Sequence, residues 1–211
     1  MLKLFYKLIK SFPILSTLII INIVFSHLSC VSRDNRDPIL GKFEDRFSNL
    51  IKEKIAFMPA SYAIGQIPEG EYAFLGNGYY SEELNGEIIY NKNFDSFGYV
   101  WYHGIGNLTT RGVLIKSEFI SETGYNNLKS LYEVITSQEN YNFSGHYKVG
   151  SDIMPGLYYI ESVGSGYMSI NSGPVGKSEI IENDNFNGSK TIRLYVGEYL
   201  ELSRCKINNA N

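Results

Sequence analysis

Tyr62-Ala-Ile-Gly65 and Tyr147-Lys-Val-Gly150 stand 85 residues apart, and they open two runs that match block by block. Ile67-Pro-Glu-Gly70-Glu-Tyr72 aligns with Ile153-Met-Pro-Gly156-Leu-Tyr158 at a spacing of 86, and Gly76-Asn-Gly-Tyr-Tyr-Ser81 with Gly164-Ser-Gly-Tyr-Met-Ser169 at 88. Ile88-Ile-Tyr-Asn-Lys-Asn-Phe94 aligns with Ile180-Ile-Glu-Asn-Asp-Asn-Phe186 at 92. Four blocks in one order, with offsets that drift only through loop insertions, mark a tandem duplication.

Each block carries β grammar. Proline followed by glycine ahead of a tyrosine-bearing run sets a tight turn, because proline presets its φ and glycine takes conformations that a side chain forbids. Gly70 and Gly156 are therefore expected at equivalent turns. G-x-G-Y-x-S reads as a turn opening a second strand. Ile-Ile-x-Asn-x-Asn-Phe reads as a buried strand closed by an Asx turn that Asn91 and Asn93, or Asn183 and Asn185, brace. Thr191-Ile-Arg-Leu-Tyr-Val196 alternates apolar and polar, and Val100 and Tyr102 mirror Ile192 and Leu194. Five or six short strands per copy suffice for a small antiparallel sandwich or barrel. Apolar residues at three- and four-residue steps predict a helix over 42–58, stopped by Pro59, and a second over 126–136. The fold expected is mainly β: two tandem modules, each preceded by a short amphipathic helix, at 42–122 and 123–211.

Composition agrees. The 211 residues include 20 Gly and 17 Tyr, and the 44% hydrophobic and 19% charged fractions exclude disorder and collagen. The formal charge of -3 becomes more negative once Lys3, Lys7 and Lys10 leave with a leader, which argues against nucleic acid as a partner.

That leader is residues 1–29: three lysines, then an apolar run from Phe12 to Phe25, then small residues up to Cys30. Fourteen helical residues reach about 21 Å, short of a roughly 30 Å hydrocarbon core, which favours export with cleavage over a permanent span. Leu28-Ser29-Cys30 resembles a bacterial lipobox, with His27 where the usual leucine stands. The resemblance implies acylation of Cys30 by a fatty acid such as palmitate and a membrane anchor. The polar stretch Val31 to Gly41, with Arg33, Asp34, Arg36 and Asp37, has the composition of a tether, taken as 30–41. The alternative is a secreted protein cut after Ser26 or Ser32. Cys205 then reads as a small residue on a terminal strand, with a disulfide to Cys30 open to it only when Cys30 is unlipidated.

The string Tyr147-Lys-Val-Gly-Ser-Asp-Ile-Met-Pro-Gly-Leu-Tyr158, with Ile181-Glu-Asn-Asp-Asn-Phe186 and Gly197-Glu-Tyr-Leu-Glu-Leu202, is similar to an uncharacterised β module of exported bacterial proteins and lipoproteins. Its pattern is G-x-D-I-x-P-G-x-Y, a later I-x-x-N-D-N and a closing strand. About 55 residues of the second copy follow it, and the first follows more loosely, with Gln66 in place of the aspartate. The resemblance implies an exported module in the cell envelope and no particular activity.

Chemistry-bearing residues are sparse. A Ser/His/acid hydrolase would draw on His103 or His146, yet neither sits in a nucleophile elbow and no G-x-S-x-G occurs. No cofactor motif is present. Glu182-Asn183-Asp184-Asn185 offers oxygens to a hard cation, but Lys92 holds the position that matches Asp184, so an Asx turn is expected there and no metal. Tyr79, Tyr80, Tyr99, Trp101 and Tyr102 form the densest aromatic set, the expected face for a glycan or protein partner. The reading is a noncatalytic envelope lipoprotein with a binding or structural role, against an envelope hydrolase using His103 or a glycan-binding module.

Overall fold

The computed structural model describes residues 37–210, which form one compact body from Pro38 onward. The leader, Cys30 and most of the tether lie outside the described residues. The described part opens with helix α1 (Pro38–Lys52), so the last residues assigned to the tether are already helical. Proline suits this first turn because its missing N–H would have no partner there. The helix kinks at Phe47 and buries Phe43, Phe47 and Leu50. It ends six residues before the expected Met58, because the chain turns into strand β1 (Ala56–Phe57).

Strands β2 (Ala60–Tyr62), β3 (Gly70–Leu75), β4 (Gly78–Leu84), β5 (Glu87–Phe94), β6 (Phe97–Tyr102), β7 (Asn107–Thr110) and β8 (Val113–Lys116) complete the first module. They make two four-stranded antiparallel sheets, β1-β8-β3-β6 and β2-β7-β4-β5. The chain makes four passes, and each gives one strand to either sheet. A 3-10 segment (Ser117–Thr123) and helix α2 (Leu128–Thr136) follow. Asn127 caps α2, its side-chain oxygen accepting from Ser130 N at 2.8 Å.

The second module repeats the four passes as β9 (Gly145–Lys148), β10 (Gly156–Asn171), β11 (Ile180–Leu194) and β12 (Tyr199–Asn209), in the order β11-β10-β12-β9. Passes that break into two strands in the first module run on here, bending at bulges between Glu161 and Ser165 and between Ser162 and Tyr167. The bends need glycine in both copies. A Cβ on Gly78 would lie 2.7 Å from Arg111 Cβ, and one on Gly166 would lie 2.6 Å from Cys205 Sγ.

The ladders agree residue by residue. Gly70 pairs with Tyr102 and Tyr72 with Val100; Gly156 pairs with Leu194 and Tyr158 with Ile192. Ser81 faces Asn91 and Tyr79 faces Asn93, just as Ser169 faces Asn183 and Tyr167 faces Asn185. Gly70 and Gly156 share φ values of 153° and 158°. Tyr72 and Tyr158 each donate a hydroxyl hydrogen bond to the carbonyl four residues back, at Pro68 and Met154. Tyr62 and Tyr147 do the same to Met58 and Phe143.

One sequence expectation fails here. Asn91, Asn93, Asn183 and Asn185 lie inside β5 and β11, and no turn is braced by them. Those strands are sheet edges, so Ile180 and Ile181, expected to be buried, are 61% and 56% exposed, and Ile88 is 56% exposed. An edge that overhangs the core has no second layer to cover its apolar residues, and short-range sequence pattern does not reveal where the core ends. Asp184 Oδ2 accepts from Lys190 Nζ at 3.1 Å.

Two cores result. The first fills the space between the sheets of module one, with Phe57, Tyr72, Phe74, Phe94, Val100 and Leu114. The second joins everything else. Ala73, Leu75, Phe97 and Tyr99 on the outer face of β3 and β6 meet both helices and the apolar interior of module two. The run Tyr72-Ala-Phe-Leu75 is apolar throughout because its sheet is buried on both faces.

Candidate functional site

Alternation along the strands of module two sends Tyr167, Ser169 and Asn171 of β10, Tyr199 and Glu201 of β12, and His146 of β9 to one face. They are cross-strand neighbours: Ser169 and His146 flank Glu201, and Asn171 faces Tyr199. Module one meets this face with Lys92 from β5 and Tyr99 from β6, and a cleft of about 290 Å³ opens between the modules.

Its charges are paired internally. Lys92 Nζ lies 2.6 Å from Glu201 Oε1. His146 Nε2 is 3.6 Å from the same oxygen, beyond hydrogen-bond distance, and the ring packs against Phe94. Burial, reinforced by the positive charge of Lys92, holds the His146 pKa well below the ordinary 6.5, so its imidazole is neutral. Ser169 Oγ donates to Asn171 Oδ1 at 3.2 Å. Behind the cleft, Glu71 accepts from Lys148 Nζ (2.7 Å) and from the Tyr199 hydroxyl (2.9 Å), which fixes Tyr199 from the far side.

The segment 172–179, between β10 and β11, forms one wall. Its ends are tied by Ser172 N to Glu179 O at 3.0 Å. Val175 joins β6 as an added parallel bridge: Trp101 N donates to Val175 O (2.8 Å) and Val175 N to Tyr99 O (3.0 Å). Lys177 Nζ sits 3.5 Å above the Trp101 ring centre. Gly176 rests on module one so closely that a Cβ there would come within 2.9 Å of Trp101 O and 3.3 Å of His103 Cε1.

What Gly176 rests on is a polar set anchored by a buried carboxylate. Glu82 is fully buried, and its Oε2 accepts from His103 N (3.3 Å) and lies 2.9 Å from His103 Nδ1. The His103 ring stacks on Tyr90 with centroids 4.5 Å apart and planes 11° apart. Among the described residues no serine, threonine or cysteine hydroxyl or thiol bonds to His103, so the Ser/His/acid arrangement is not assembled around it.

The aromatic set singled out in the sequence does not make one exposed face. Tyr80 and Tyr102 are inside module one, and Tyr99 is buried between the modules, its hydroxyl donating to Asp152 Oδ2 at 2.8 Å. Tyr79 is half-buried on β4, and Trp101 lies half-buried under Lys177. Tyr79 and Tyr80 point to opposite faces of β4, and Trp101 points away from its neighbour Tyr102 on β6, so density in sequence does not become density on a surface. Tyr99 alone of them lines the cleft. Cys205 is buried, its thiol pushed up by desolvation. Among the described residues no group of three His, Cys, Asp or Glu side chains is placed to hold a metal ion.

The sequence reading missed His146, Glu201 and Lys92 as a unit. Their signal was the i, i+2 spacing Tyr199, Glu201 and Tyr167, Ser169, Asn171, polar and aromatic on a face that pattern alone assigns to solvent. It also missed Asp152, the aspartate of the G-x-D-I-x-P-G-x-Y pattern. Asp152 accepts from Lys148 N (2.9 Å), from Lys129 N at the start of α2 (2.9 Å) and from Tyr99, tying both modules and a helix together. Desolvation outweighs these hydrogen bonds and raises its pKa above the ordinary 3.8. Compared with protein-family models and with curated proteins, the chain matches none.

Proposed function

We propose that this chain is a noncatalytic lipoprotein of the bacterial cell envelope that binds its ligand in the cleft between its two modules. Export by the leader and acylation at Cys30 place it at a membrane through its N-terminal lipid, with the β body carrying the binding role. The observation that carries the binding reading is the cleft itself. Polar and aromatic side chains from five strands converge there, its ionised groups are already paired, and His146 is held neutral. Such a lining can recognise without supplying an activated nucleophile.

Two measurements test this reading. Cells fed an alkynyl fatty acid should label the wild-type protein, and Cys30→Ala should lose both the label and the membrane fraction; an unlabelled wild type beside a labelled control lipoprotein overturns the anchor. Crosslinked envelope captures should change when His146→Phe replaces wild type, and captures that are identical for the two proteins overturn the cleft as the binding site.

A further inference from the structure

We infer that the cleft takes a neutral, hydroxyl-rich saccharide ring. This rests on the binding reading above and specifies its ligand. The first argument is charge. Lys92 and Glu201 are the ionised residues lining the cleft, and at 2.6 Å they neutralise one another while His146 stays uncharged. An anionic ligand would have to take Lys92 from Glu201, and a cation would have to take Glu201 from Lys92. Either leaves a half-buried charge without its partner, which is costly.

The second argument is unmet hydrogen bonding. His146 is about nine-tenths buried and lines the cleft, and the Glu201 carboxylate beside it stands 3.6 Å from its Nε2, beyond hydrogen-bond distance. A neutral imidazole carries one donor and one acceptor. The Asn171 amide adds two N–H donors beside the oxygen that accepts from Ser169, and Glu201 has a second oxygen beyond the one that Lys92 holds. Mixed donors and acceptors at close spacing are met most fully by vicinal hydroxyls, each of which donates and accepts. The third argument is shape. Tyr167 and Tyr199 bring aromatic rings to the same cavity, the surface that the C–H face of a pyranose packs against. About 290 Å³ is at the lower end of ligand pockets and suits one ring of a longer chain.

The test uses the full chain in a sugar-free detergent. It is screened against neutral oligosaccharides of hexoses, deoxyhexoses and N-acetylhexosamines, against sialylated and sulfated glycans, and against inorganic phosphate, and each hit is then titrated by calorimetry. A neutral oligosaccharide should bind. His146→Phe, which keeps an aromatic ring and removes both nitrogens, and Asn171→Ala, at a half-buried position, should each weaken that binding at least tenfold with unchanged circular dichroism. Glu201→Gln frees Lys92 and should admit sulfated glycans that the wild type refuses. Binding of acidic glycans or phosphate without neutral ones, or neutral binding untouched by both variants, overturns the saccharide assignment. If the envelope captures still respond to His146→Phe in that case, the binding reading survives and only its ligand class falls.

Discussion

The two modules share a hydrogen-bond ladder and differ in what they enclose. At the interior positions where module two places Met168, Ile170 and Leu194, module one places Tyr80, Glu82 and Tyr102. Where module one turns from β4 to β5 through Asn85-Gly86, module two inserts the longer segment 172–179. These two departures meet in space. The inserted segment seats Gly176 on the His103–Tyr90 stack that buried Glu82 orients, while the counterparts of these three residues in module two are Ile170, Tyr195 and Glu182, with no such stack. Duplication thus fixes the ladder, and the copies diverge where they touch each other.

Exchanging the interiors is the severest way to break this comparison. Ile170→Glu puts a carboxylate into module two with no histidine beside it, and an unpaired buried charge costs about 3–5 kcal/mol. Urea unfolding should show a loss of about 4 kcal/mol, or no folded protein. The reverse change, Glu82→Ile, removes a buried acid whose Oε1 has no partner, and should cost much less. Equal losses from both would mean that Glu82 is as well satisfied as Ile170 is well packed.

Asp152 and Gln66 give the next contrast. Both accept from the N–H of the residue that follows the first tyrosine of their repeat, Lys148 and Ala63. Asp152 alone goes on to hold α2 and Tyr99. Asp152→Ala orphans three donors in a buried site and should cost about 3 kcal/mol or more by chemical denaturation. Gln66→Ala, at an exposed turn, should cost about 0.5 to 1 kcal/mol. Comparable losses would show that Asp152 does not join the modules.

Much of this framework is legible in the sequence, and the reasons for the rest are physical. The matched blocks make Val100 equivalent to Ile192 and Tyr102 to Leu194, as the ladders do, because register follows backbone pairing and survives loop insertion. The shared core is not legible. Ala73, Leu75 and Phe97 read as the inner residues of one module, and nothing local says that their face packs on two helices and a second module. The cleft was hidden for the same reason. His146, Lys92 and Glu201 come from three strands in two copies, so their proximity depends on how the copies dock.

The pH dependence sharpens the contrast at the cleft. A histidine whose folded pKa is depressed contributes stability that is complete above 6.5 and is lost as pH falls below it, because the unfolded chain takes the proton first. Thermal or urea melts should therefore lose stability below about pH 6.5 at up to about 1.4 kcal/mol per pH unit. His146→Phe should flatten that limb. Asp152 acts with the opposite sign. Its folded pKa is raised, so its contribution grows as pH falls from that raised value to the ordinary 3.8. An acid limb unchanged in His146→Phe would mean that folding does not shift the histidine's pKa.

The smallest expected effect asks how faithfully the copies repeat. Tyr72 and Tyr158 occupy matching positions, each donating its hydroxyl to the carbonyl four residues back, at 2.7 and 2.6 Å. Burial raises the pKa of both phenols, so each is a protonated donor over the working pH range. Removing the hydroxyl leaves a carbonyl without this partner and keeps the ring, so Tyr72→Phe and Tyr158→Phe should each cost about 1 kcal/mol. The surroundings pull the two apart. Tyr72 is 1% exposed among Phe57 and the aromatic interior of module one, whereas Tyr158 is 7% exposed beside a cavity that water can enter. Water can take over at Met154 O what the phenol gives up, so Tyr158→Phe should be the milder change by a few tenths of a kcal/mol. A larger loss at Tyr158 would show that the second module depends on this turn more than the first, which keeps extra pairing through β1 and β8 beside the same strand.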